Sequence, residues 1–575
     1  MAADPIVPPP AQSLLDRVQR HYNDQPDAAA LIFIAPDGSE QVISTRQFFD
    51  HAARYANALR SAGVAPRQVV ILVMEHNTAL LYAFWGALMI DAIPSIFPFL
   101  SDKLDSALYF ARVKLLVTHS GASAVIASEA FAAQLAVLLA DHEAVRVLSE
   151  AQLQPTDSDP HFATDIRTDH NADSIAFLQH SSGTTGLQKG VALSHRAVLN
   201  QLDSYSAAIR LSSTDKIASW LPLYHDMGLM AGFVLPITQG VPLILMSPFH
   251  WVRDPKSLLA AIDRHRATLC WLPNFAYNFM AMRISATAAK TFDLSSMRAF
   301  VNCSEPMSAD SHRRFAARFP TLNPAALTTC YAMAENTFAV TQGGIDRPVT
   351  IDVISRAELN DRQRAEPIAA SDSLPETASL EILSCGTPIA GCTVRIVGED
   401  GSVHSERHIG EVAIQSNSLL SGYYRRDDLS AQAIRDGWYF TGDLGYLANG
   451  ELFITGRKKD LIIVGGKNLY PHDLEAIAGG VAGVHGGRVV AFGVPDERLG
   501  TEEIVIVCEV DSDNPDERAM IEQQIRARVA QQADSSVRDV LLVGARWLIK
   551  TSSGKLARAA NREKYLRHLI TESMS

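Results

Sequence analysis

The sequence has no long hydrophobic run, few cysteines and no large cluster of basic residues. The most apolar stretch, from Thr78 to Ile90, holds 13 uncharged residues between Glu75 and Asp91. A helix that crosses a bilayer needs about 20 such residues, so we expect no membrane span and interpret this stretch as a buried core helix. The N-terminus is neither basic nor apolar, so no signal peptide is expected.

Six cysteines stand in 575 residues, and none of them forms a C-x-x-C pair or stands at zinc spacing from histidines. We therefore expect reduced thiols in the core and a cytoplasmic protein. The net charge of −12 disfavours a nucleic-acid surface, so no nucleic-acid partner is expected. The cysteines are Cys270, Cys303, Cys330, Cys385, Cys392 and Cys508.

The chain is too long for a single core, because domains usually have about 100–200 residues. Strand and helix patterns alternate in its first part: Val69 to Met74 predicts a strand and Asn77 to Asp91 a helix. Lys114 to His119 and Ala124 to Ala127 continue the alternation. This order predicts an α/β fold of parallel sheets with helices on both faces. Residues 150–172, rich in Asp, Pro and Thr, predict a connection between two subdomains.

Hydroxyls and glycines fill the segment from Ser181 to Gly186, and Lys189 follows. The apolar stretch Ser174 to Gln179 before it predicts a buried strand, and Ser194 after it can cap a helix. Glycines let a backbone approach an anion, hydroxyls donate hydrogen bonds, and lysine supplies charge. The spacing is not that of a Walker loop. From these residues alone, a triphosphate loop and an ordinary polar surface loop both remain open.

Polar side chains follow the next predicted strands. His225 and Asp226 stand at a turn after Pro222, where they could line an acyl pocket or cap the next helix. The aromatic cluster from Cys270 to Tyr277 is more typical of a core than of a pocket. Glu335 could hold magnesium, or it could be a solvated acid at a helix start.

Asp443 follows a predicted strand and is preceded by Gly442, so its carboxylate can accept both hydroxyls of a ribose. Arg457 follows another strand, and its planar fork can reach a ribose or a phosphate. Lys555 lies in the segment Leu548 to Arg558, which by itself could be a basic surface loop.

Taken together and in this order, these motifs resemble the adenylate-forming (ANL) superfamily from about residue 13 to 565. The family includes acyl-CoA synthetases, adenylation domains of peptide synthetases and luciferases. Some positions depart from its pattern, among them Ala332 in place of glycine and Ile549 in place of proline. Within the superfamily, the segment Pro273 to Tyr277 resembles the fatty acyl-AMP ligases. So do Tyr224 to Gly228, Asn468 to Pro471 and the long polar segment Gly343 to Ser384.

The resemblance implies a large N-terminal domain, residues 1–456, of stacked and mostly parallel sheets with helices plus a small β subdomain. It also implies a small, mobile α+β C-terminal domain, residues 457–575, with Lys458 and Lys459 at the hinge.

The resemblance also implies roles for particular side chains. Lys555 would enter the site during adenylation, His225 would face the carboxylate substrate, and Glu335 with Thr185 would hold Mg²⁺. Tyr331 would pack on adenine, and Asp443 with Arg457 would fix the ribose. The nucleotide-binding residues implied are Ser181, Ser182, Gly183, Thr184, Thr185, Gly186, Lys189, Ser304, Glu305, Tyr331, Asp443 and Arg457.

The function implied is ATP-dependent conversion of a fatty acid to acyl-AMP, with transfer to the phosphopantetheine thiol of an acyl carrier protein. The alternative within the superfamily is an acyl-CoA synthetase, which uses CoA as acceptor. A non-catalytic nucleotide-binding protein would be expected to lose Lys555, Glu335 or Asp443, and all three are present.

Overall fold

The computed structural model describes residues 6, 10–99, 106–142, 144–153, 171–180, 189–368, 378–464, 467–496, 501–533, 535–551 and 555–574. Capping boxes at Ser13 and Ser44 begin the first two helices. The helices are α1 Leu14–Asp24, α2 Thr45–Ser61, α3 Thr78–Met89, α4 Ser106–Ser120, α5 Glu129–Leu138, α6 His195–Ala208, α7 Leu235–Gln239, α8 Pro248–Arg253, α9 Lys256–His265, α10 Asn274–Arg283, α11 Ala286–Ala289, α12 Ala309–Arg318, α13 Arg356–Arg362, α14 Asp427–Ala433, α15 Pro471–Gly479, α16 Pro515–Ala533 and α17 Arg558–Met574.

A π-helix, Met227–Val234, precedes α7, and a 3₁₀ turn, Ala334–Asn336, carries Glu335. The strands are β1 Ala29–Ile34, β2 Glu40–Ser44, β3 Val69–Val73, β4 Ile93–Ile96, β5 Ala124–Ala127, β6 Arg146–Ser149, β7 Ile175–His180, β8 Gly190–Ser194, β9 Ile217–Ser219, β10 Leu243–Met246, β11 Leu269–Leu272, β12 Ala299–Asn302, β13 Leu327–Ala332, β14 Ala339–Gln342, β15 Ile351–Ser355, β16 Ser379–Leu383, β17 Thr387–Pro388, β18 Cys392–Val397, β19 Gly410–Ser416, β20 Gly422–Tyr423, β21 Ile434–Arg435, β22 Trp438–Ala448, β23 Glu451–Arg457, β24 Ile462–Val464, β25 Lys467–Leu469, β26 Val484–Asp496, β27 Thr501–Val510 and β28 Val537–Val543.

Two large, mostly parallel sheets form the first part of the chain. One has the order β17-β14-β13-β12-β11-β9-β10-β1-β2 and the other the order β20-β8-β7-β4-β3-β5-β6. The central pairs of both are parallel, and antiparallel strands stand at both edges of the first sheet and at the β8–β20 edge of the second. This confirms the predicted α/β class with mostly parallel sheets.

The apolar helix α3 is buried between these sheets, as predicted from its composition. Its residues from Ala79 to Met89 are all buried. Phe84 lies edge-on to Phe233 of the π-helix, with ring centroids 5.6 Å apart, and 5.5 Å from Phe177 of β7. Within the described part of the chain, no helix is both long and apolar enough to cross a membrane.

The predicted order of strand, polar loop and helix is wrong in one respect, because a further strand follows the loop. β8 runs antiparallel to β7, with His180 opposite Gly190, and α6 begins only after it. The run from Val191 to Leu193 is buried and therefore pairs as a strand rather than starting the helix. Ser194 caps α6 as predicted and accepts a hydrogen bond from the Ala197 amide.

A third, antiparallel sheet of five strands (β18, β19, β22, β21 and β23) forms the predicted small β subdomain. The polar segment after Gly343 is partly structured: β15 and β16 form a hairpin, and α13 follows β15. Ile354 and Leu359 of this segment share a small core with Tyr446 and Tyr470. The segment therefore packs on the body of the molecule. Most of the predicted connection 150–172 lies outside the described residues.

The last part of the chain has its own core around the three-stranded sheet β26-β27-β28. α15 and α16 cover one face of this sheet, and α17 covers the other with Tyr565 against Phe492. These cores begin at Ile462, close to the boundary expected at residues 456 and 457. The division into two domains that move against each other remains a prediction.

All six cysteines are free thiols, five of them buried and Cys392 half-buried. Burial raises the pKa of Cys385 and of Cys508 to about 12. These thiols are therefore protonated core residues, as expected.

Candidate active site

The predicted phosphate loop is located by its two ends. Residues 181–188, which include Ser181, Ser182, Gly183, Thr184, Thr185 and Gly186, lie outside the described residues. β7 leads into the loop, and Lys189 stands directly before β8. The Lys189 ammonium lies 4.6 Å from the centre of the Tyr423 ring. Lys189 is thereby held near the carboxylate that the same tyrosine contacts.

That carboxylate is Glu335, on the 3₁₀ turn after β13. Its Oε1 accepts a hydrogen bond of 3.0 Å from the Tyr423 hydroxyl, which lies 3.1 Å from the hydroxyl of Tyr439. Burial raises the Glu335 pKa, although the Tyr423 hydrogen bond opposes this. The side chain stands at a helix start, as one interpretation expected, but it is half-buried rather than solvated.

The predicted ribose residues meet across paired strands. Asp443 of β22 stands opposite Arg457 of β23, and Arg457 Nε lies 3.0 Å from Asp443 Oδ1. The Tyr331 hydroxyl donates a hydrogen bond of 2.6 Å to Asp443 Oδ2. Asp443 raises the pKa of the Arg457 guanidinium. A carboxylate has about four acceptor sites, so both oxygens keep capacity for ribose hydroxyls.

His225 and Asp226 lie at the start of the π-helix. His225 Nδ1 is 2.6 Å from Asp226 Oδ1, and the Met227 amide donates to the same carboxylate at 2.8 Å. Burial tends to raise the Asp226 pKa, but His225 and Lys555 outweigh it and lower the pKa. Asp226 therefore caps its helix as predicted, and it also links two predicted catalytic residues.

Lys555 acts on this cluster from the segment that precedes α17, near the end of the chain. The Thr551 amide donates to the Lys555 carbonyl at 2.7 Å, and Thr551 Oγ1 accepts from the Lys555 amide at 3.1 Å. Asn561 of α17 fixes the start of this segment through two hydrogen bonds to Ile549. Arg558 anchors it further through two bonds to Glu475. The described residues on either side of 552–554 are thus tied to each other and to α15 and α17.

The two groups form one electrostatic network. Asp226 raises the Glu335 pKa, whereas Arg457 lowers it. Lys555 and His225 act on Asp226, Asp226 and Arg457 act on Glu335, and Arg457 pairs with Asp443, so successive pairs link these six groups.

Ser304 and Glu305 are placed differently from the rest. Glu305 Oε2 accepts a hydrogen bond of 2.9 Å from the Phe275 amide at the start of α10. Ser304 has a left-handed backbone with φ of 73°, and its hydroxyl contacts the sulfurs of Met227 and Cys303. In this structure Glu305 supports a neighbouring helix, so the structure does not bring it to the ribose pair.

Sequence reasoning missed the connecting role of Tyr423 and Tyr439. Tyr423 belongs to the segment Ser421 to Arg425, which was recognisable only as a family match. Lys459 was expected only at the hinge, and in the structure burial and the nearby Arg457 lower its pKa. Lys459 lies beside the site because it follows Arg457, the last residue of β23, by two positions.

Comparison with known proteins agrees with this geometry. Residues 18–424 match the family model described as AMP-binding enzyme. This chain belongs to the AMP-binding enzyme family. It is 30% identical to a 4-hydroxyphenylalkanoate adenylyltransferase of Mycobacterium tuberculosis, over 97% of this chain and 92% of the relative.

Two further similarities are to fatty-acid ligases within the AMP-binding enzyme family. The chain is 33% identical to JamA, a medium-chain-fatty-acid–[acyl-carrier-protein] ligase of Moorena producens, over 70% of this chain and 69% of JamA. A solved chain from a study of fatty acyl-adenylate ligases of E. coli and L. pneumophila superposes with a TM-score of 0.86. That match has 26% identity and covers 97% of this chain and 98% of the other. The protein is therefore an adenylate-forming ligase that activates acids with ATP, which confirms the predicted superfamily, fold class and enzyme class.

Proposed function

We propose that the protein converts a fatty acid and ATP to acyl-AMP and pyrophosphate, and then transfers the acyl group to the phosphopantetheine thiol of an acyl carrier protein. The observation that carries this proposal is the single network of Lys555, Asp226, Glu335, Arg457 and Asp443. This network combines the ammonium group of Lys555, for the reacting groups, with two carboxylates: Asp443 for the ribose and Glu335 for the metal ion.

In the first step, a carboxylate oxygen of the acid bonds to the α-phosphorus of ATP, and the bond from this phosphorus to the pyrophosphate oxygen breaks. Such a reaction needs positioning and charge neutralisation more than a protein nucleophile. Lys555 neutralises the charge that develops at the α-phosphate, and His225 faces the acid. Asp443 and Arg457 fix the ribose while Tyr331 packs on the adenine.

The remaining nucleotide contacts come from the loop that Lys189 closes. Its hydroxyls and amides, from Ser181 to Gly186, hold the β- and γ-phosphates. Ser304 lies beside the adenine, and Glu305 supports that edge through its bond to the Phe275 amide.

Glu335 fits a Mg²⁺ site. Its charge is disfavoured by burial and by Asp226, so a cation beside it would stabilise the carboxylate. No group of three metal-ligating side chains occurs in the described ranges, which suits an ion that takes one or two carboxylates and completes its shell with phosphates and water. Glu335, with Thr185 of the loop, would hold Mg²⁺, which would neutralise phosphate charge.

In the second step, the thiol attacks the acyl carbon and AMP leaves. We propose that residues 457–575 rotate about a hinge at Lys458 and Lys459 and withdraw Lys555 before this step. The separate core that begins at Ile462 supports this division. In the present arrangement Lys458 lies 3.1 Å from Glu411, so one ion pair would break in the rotation.

Two observations favour a carrier protein over CoA as acceptor. The described parts of the polar segment, β15, α13 and β16, share a small core with Tyr470 of the last part of the chain, and Arg356 lies 3.4 Å from Asp473. The relative JamA bears the name of an acyl-carrier-protein ligase. Acyl-CoA synthesis is the second candidate. The six free thiols fit a reducing, cytoplasmic setting.

The test supplies ATP, Mg²⁺ and a panel of fatty acids, with CoA or a holo carrier protein as acceptor, and follows acyl-AMP and thioester by mass. Acyl-AMP that accumulates with CoA but moves to the carrier supports the proposal. Rapid acyl-CoA formation would contradict the choice of acceptor. Absence of acyl-AMP with every acid would contradict the substrate class.

A further inference from the structure

A small cavity lies behind the segment that carries His225. It is lined by residues that come about three to five positions after the ends of four parallel strands: His76 after β3, Phe99 after β4, Tyr224 after β9 and Phe249, in α8, after β10. Ligands of parallel α/β sheets bind at these carboxyl ends. The cavity therefore stands at the edge of the sheets where the candidate active site also lies.

The cavity is directly continuous along the chain with the site. Pro222, Leu223 and Tyr224 form one wall, and His225 is the next residue. Three residues span at most about 11 Å, so the cavity lies within that distance of the group proposed to face the acid.

The walls are apolar except for two side-chain groups, those of His76 and Tyr224. Met74, Leu80 and Ile96 are buried and contribute only apolar side chains. Apart from His76, the Tyr224 hydroxyl is the polar side-chain group among the lining residues. The volume of about 10 Å³ gives room for about one water-sized group.

His76 stands in this wall with an unused hydrogen-bonding atom. The residue is 8% exposed, and its Nε2 has no hydrogen-bond partner among the residues that the structure describes. Burial lowers the His76 pKa to about 3, so the ring is neutral at physiological pH. A buried polar atom without a partner is destabilising, so its presence needs an explanation.

A trapped water explains it poorly. A buried water usually makes two to four hydrogen bonds, and the two polar side-chain groups of these walls, on His76 and Tyr224, supply only the lowest of these numbers. A hydroxyl on a ligand is held in place by its own carbon chain and needs fewer bonds. It can also both donate and accept, so it matches either tautomer of His76.

We propose that this cavity is the far end of the acyl pocket and that His76 Nε2 hydrogen-bonds a hydroxyl group on the acyl chain. The substrate class is then a hydroxy fatty acid rather than a plain one. This inference rests on the proposed function, since it assigns a group on the acid which that function activates.

The test compares hydroxy acids with unsubstituted acids of the same length, with the hydroxyl moved along the chain from carbon 2 to the terminal carbon. Acyl-AMP formation with ATP and Mg²⁺ is followed by pyrophosphate release. At one position we expect kcat/KM for the hydroxy acid to exceed that of its parent about tenfold, the size of one net hydrogen bond.

Two variants of His76 test the assignment. His76→Leu should abolish the preference for the hydroxy acid and raise kcat/KM for the unsubstituted parent acid. His76→Gln keeps a hydrogen-bonding group at about the same distance from the backbone, so it should retain part of the preference. Leu80→Val is the matched control: it changes the volume of the cavity without touching its polar atom, so the preference should persist. A melting temperature of His76→Leu no lower than that of the unmodified protein shows that the variant is folded.

Two results overturn the inference while the proposed function stands. In one, every hydroxyl position lowers kcat/KM although the parent acids react well. In the other, His76→Leu keeps the preference. Absence of acyl-AMP from both series overturns the proposed function, and the inference with it.

Discussion

Single side chains in the candidate site are held by partners from distant parts of the chain. Asp443 is fixed by Tyr331 and Arg457, and Glu335 by Tyr423. Lys555 is positioned by the backbone of its turn and acts on Asp226. This difference matters because only Lys555 is proposed to leave between the two steps.

Lys555→Ala should therefore separate the steps. We expect acyl-AMP formation to fall about 10²–10³-fold, because one preorganised charge at the reacting phosphate is lost. Thioester formation from preformed acyl-AMP should change little. Both rates are measured by mass, with Lys564→Ala on the neighbouring helix α17 as the control, and an equal loss in the two steps would count against the role of Lys555.

Glu335→Gln should lower activity and raise stability. Because the folded state raises the Glu335 pKa, the folded protein binds this proton more tightly than the unfolded chain does. Stability from this group is present below its usual pKa of 4.5 and is lost as the pH rises through the raised value. At pH 7.5 the variant should melt at a higher temperature, with the gap closing towards pH 4.5.

The second part of the prediction for Glu335→Gln concerns its activity. Without the carboxylate proposed to hold Mg²⁺, acyl-AMP formation should fall about 100-fold at saturating Mg²⁺. A variant that loses stability at pH 7.5, or one that keeps full activity, would show that Glu335 is a structural group.

At the scale of elements, the π-helix Met227–Val234 places His225 and Asp226. Gly228 lies so close to the preceding segment that a Cβ would stand 2.8 Å from the Pro222 carbonyl carbon and would overlap its oxygen. The backbone can pack this tightly only without a side chain.

Gly228→Ala should therefore displace the start of the helix. We expect a loss of about 1–3 kcal/mol in the free energy of unfolding and a clear loss of acyl-AMP formation. Gly486→Ala is the control, because a Cβ there meets no atom within 4 Å. Denaturant unfolding and the acyl-AMP assay check both variants, and equal stability of the two would refute the packing argument.

Elements were easier to predict from the sequence than their partners. The apolar composition of the stretch from Thr78 to Ile90 located α3, whose residues from Ala79 to Met89 are buried. β8 was missed because its five residues follow a polar loop and precede a helix cap, and its pairing with β7 is a tertiary contact. Glu305 at the nucleotide stays a prediction from its motif, and its bond to the Phe275 amide of α10 is a tertiary contact that local spacing does not give.

At the scale of the whole molecule, the hairpin β15–β16 with α13 joins the two parts of the chain. Arg356 and Asp473 are both mostly buried, so their ion pair at 3.4 Å resists separation. Ile354 and Leu359 add apolar contact near Tyr470. If residues 457–575 rotate, this contact must change.

Arg356→Asp should make that rotation easier. Like charges then face each other at Asp473, so we expect acyl-AMP formation to stay within about twofold while acyl transfer to a thiol becomes faster. The double variant Arg356→Asp with Asp473→Arg restores the opposite charges and should restore the original transfer rate. Single-turnover kinetics measure the rate of acyl transfer. An unchanged rate in Arg356→Asp would contradict the argument that the ion pair between Arg356 and Asp473 opposes the rotation.

Five of the six native cysteines are buried, and Cys392 is half-buried with a thiol pKa raised by burial, which makes the molecule convenient for watching such a rotation. Protonated, enclosed thiols react slowly with maleimide dyes, so a cysteine introduced at an exposed position such as Met520 of α16 would be labelled selectively. A second dye at exposed Val137 of α5 would give a donor and acceptor on the two parts of the chain. Energy transfer between them would report the motion in real time, without removal of any native residue from the core.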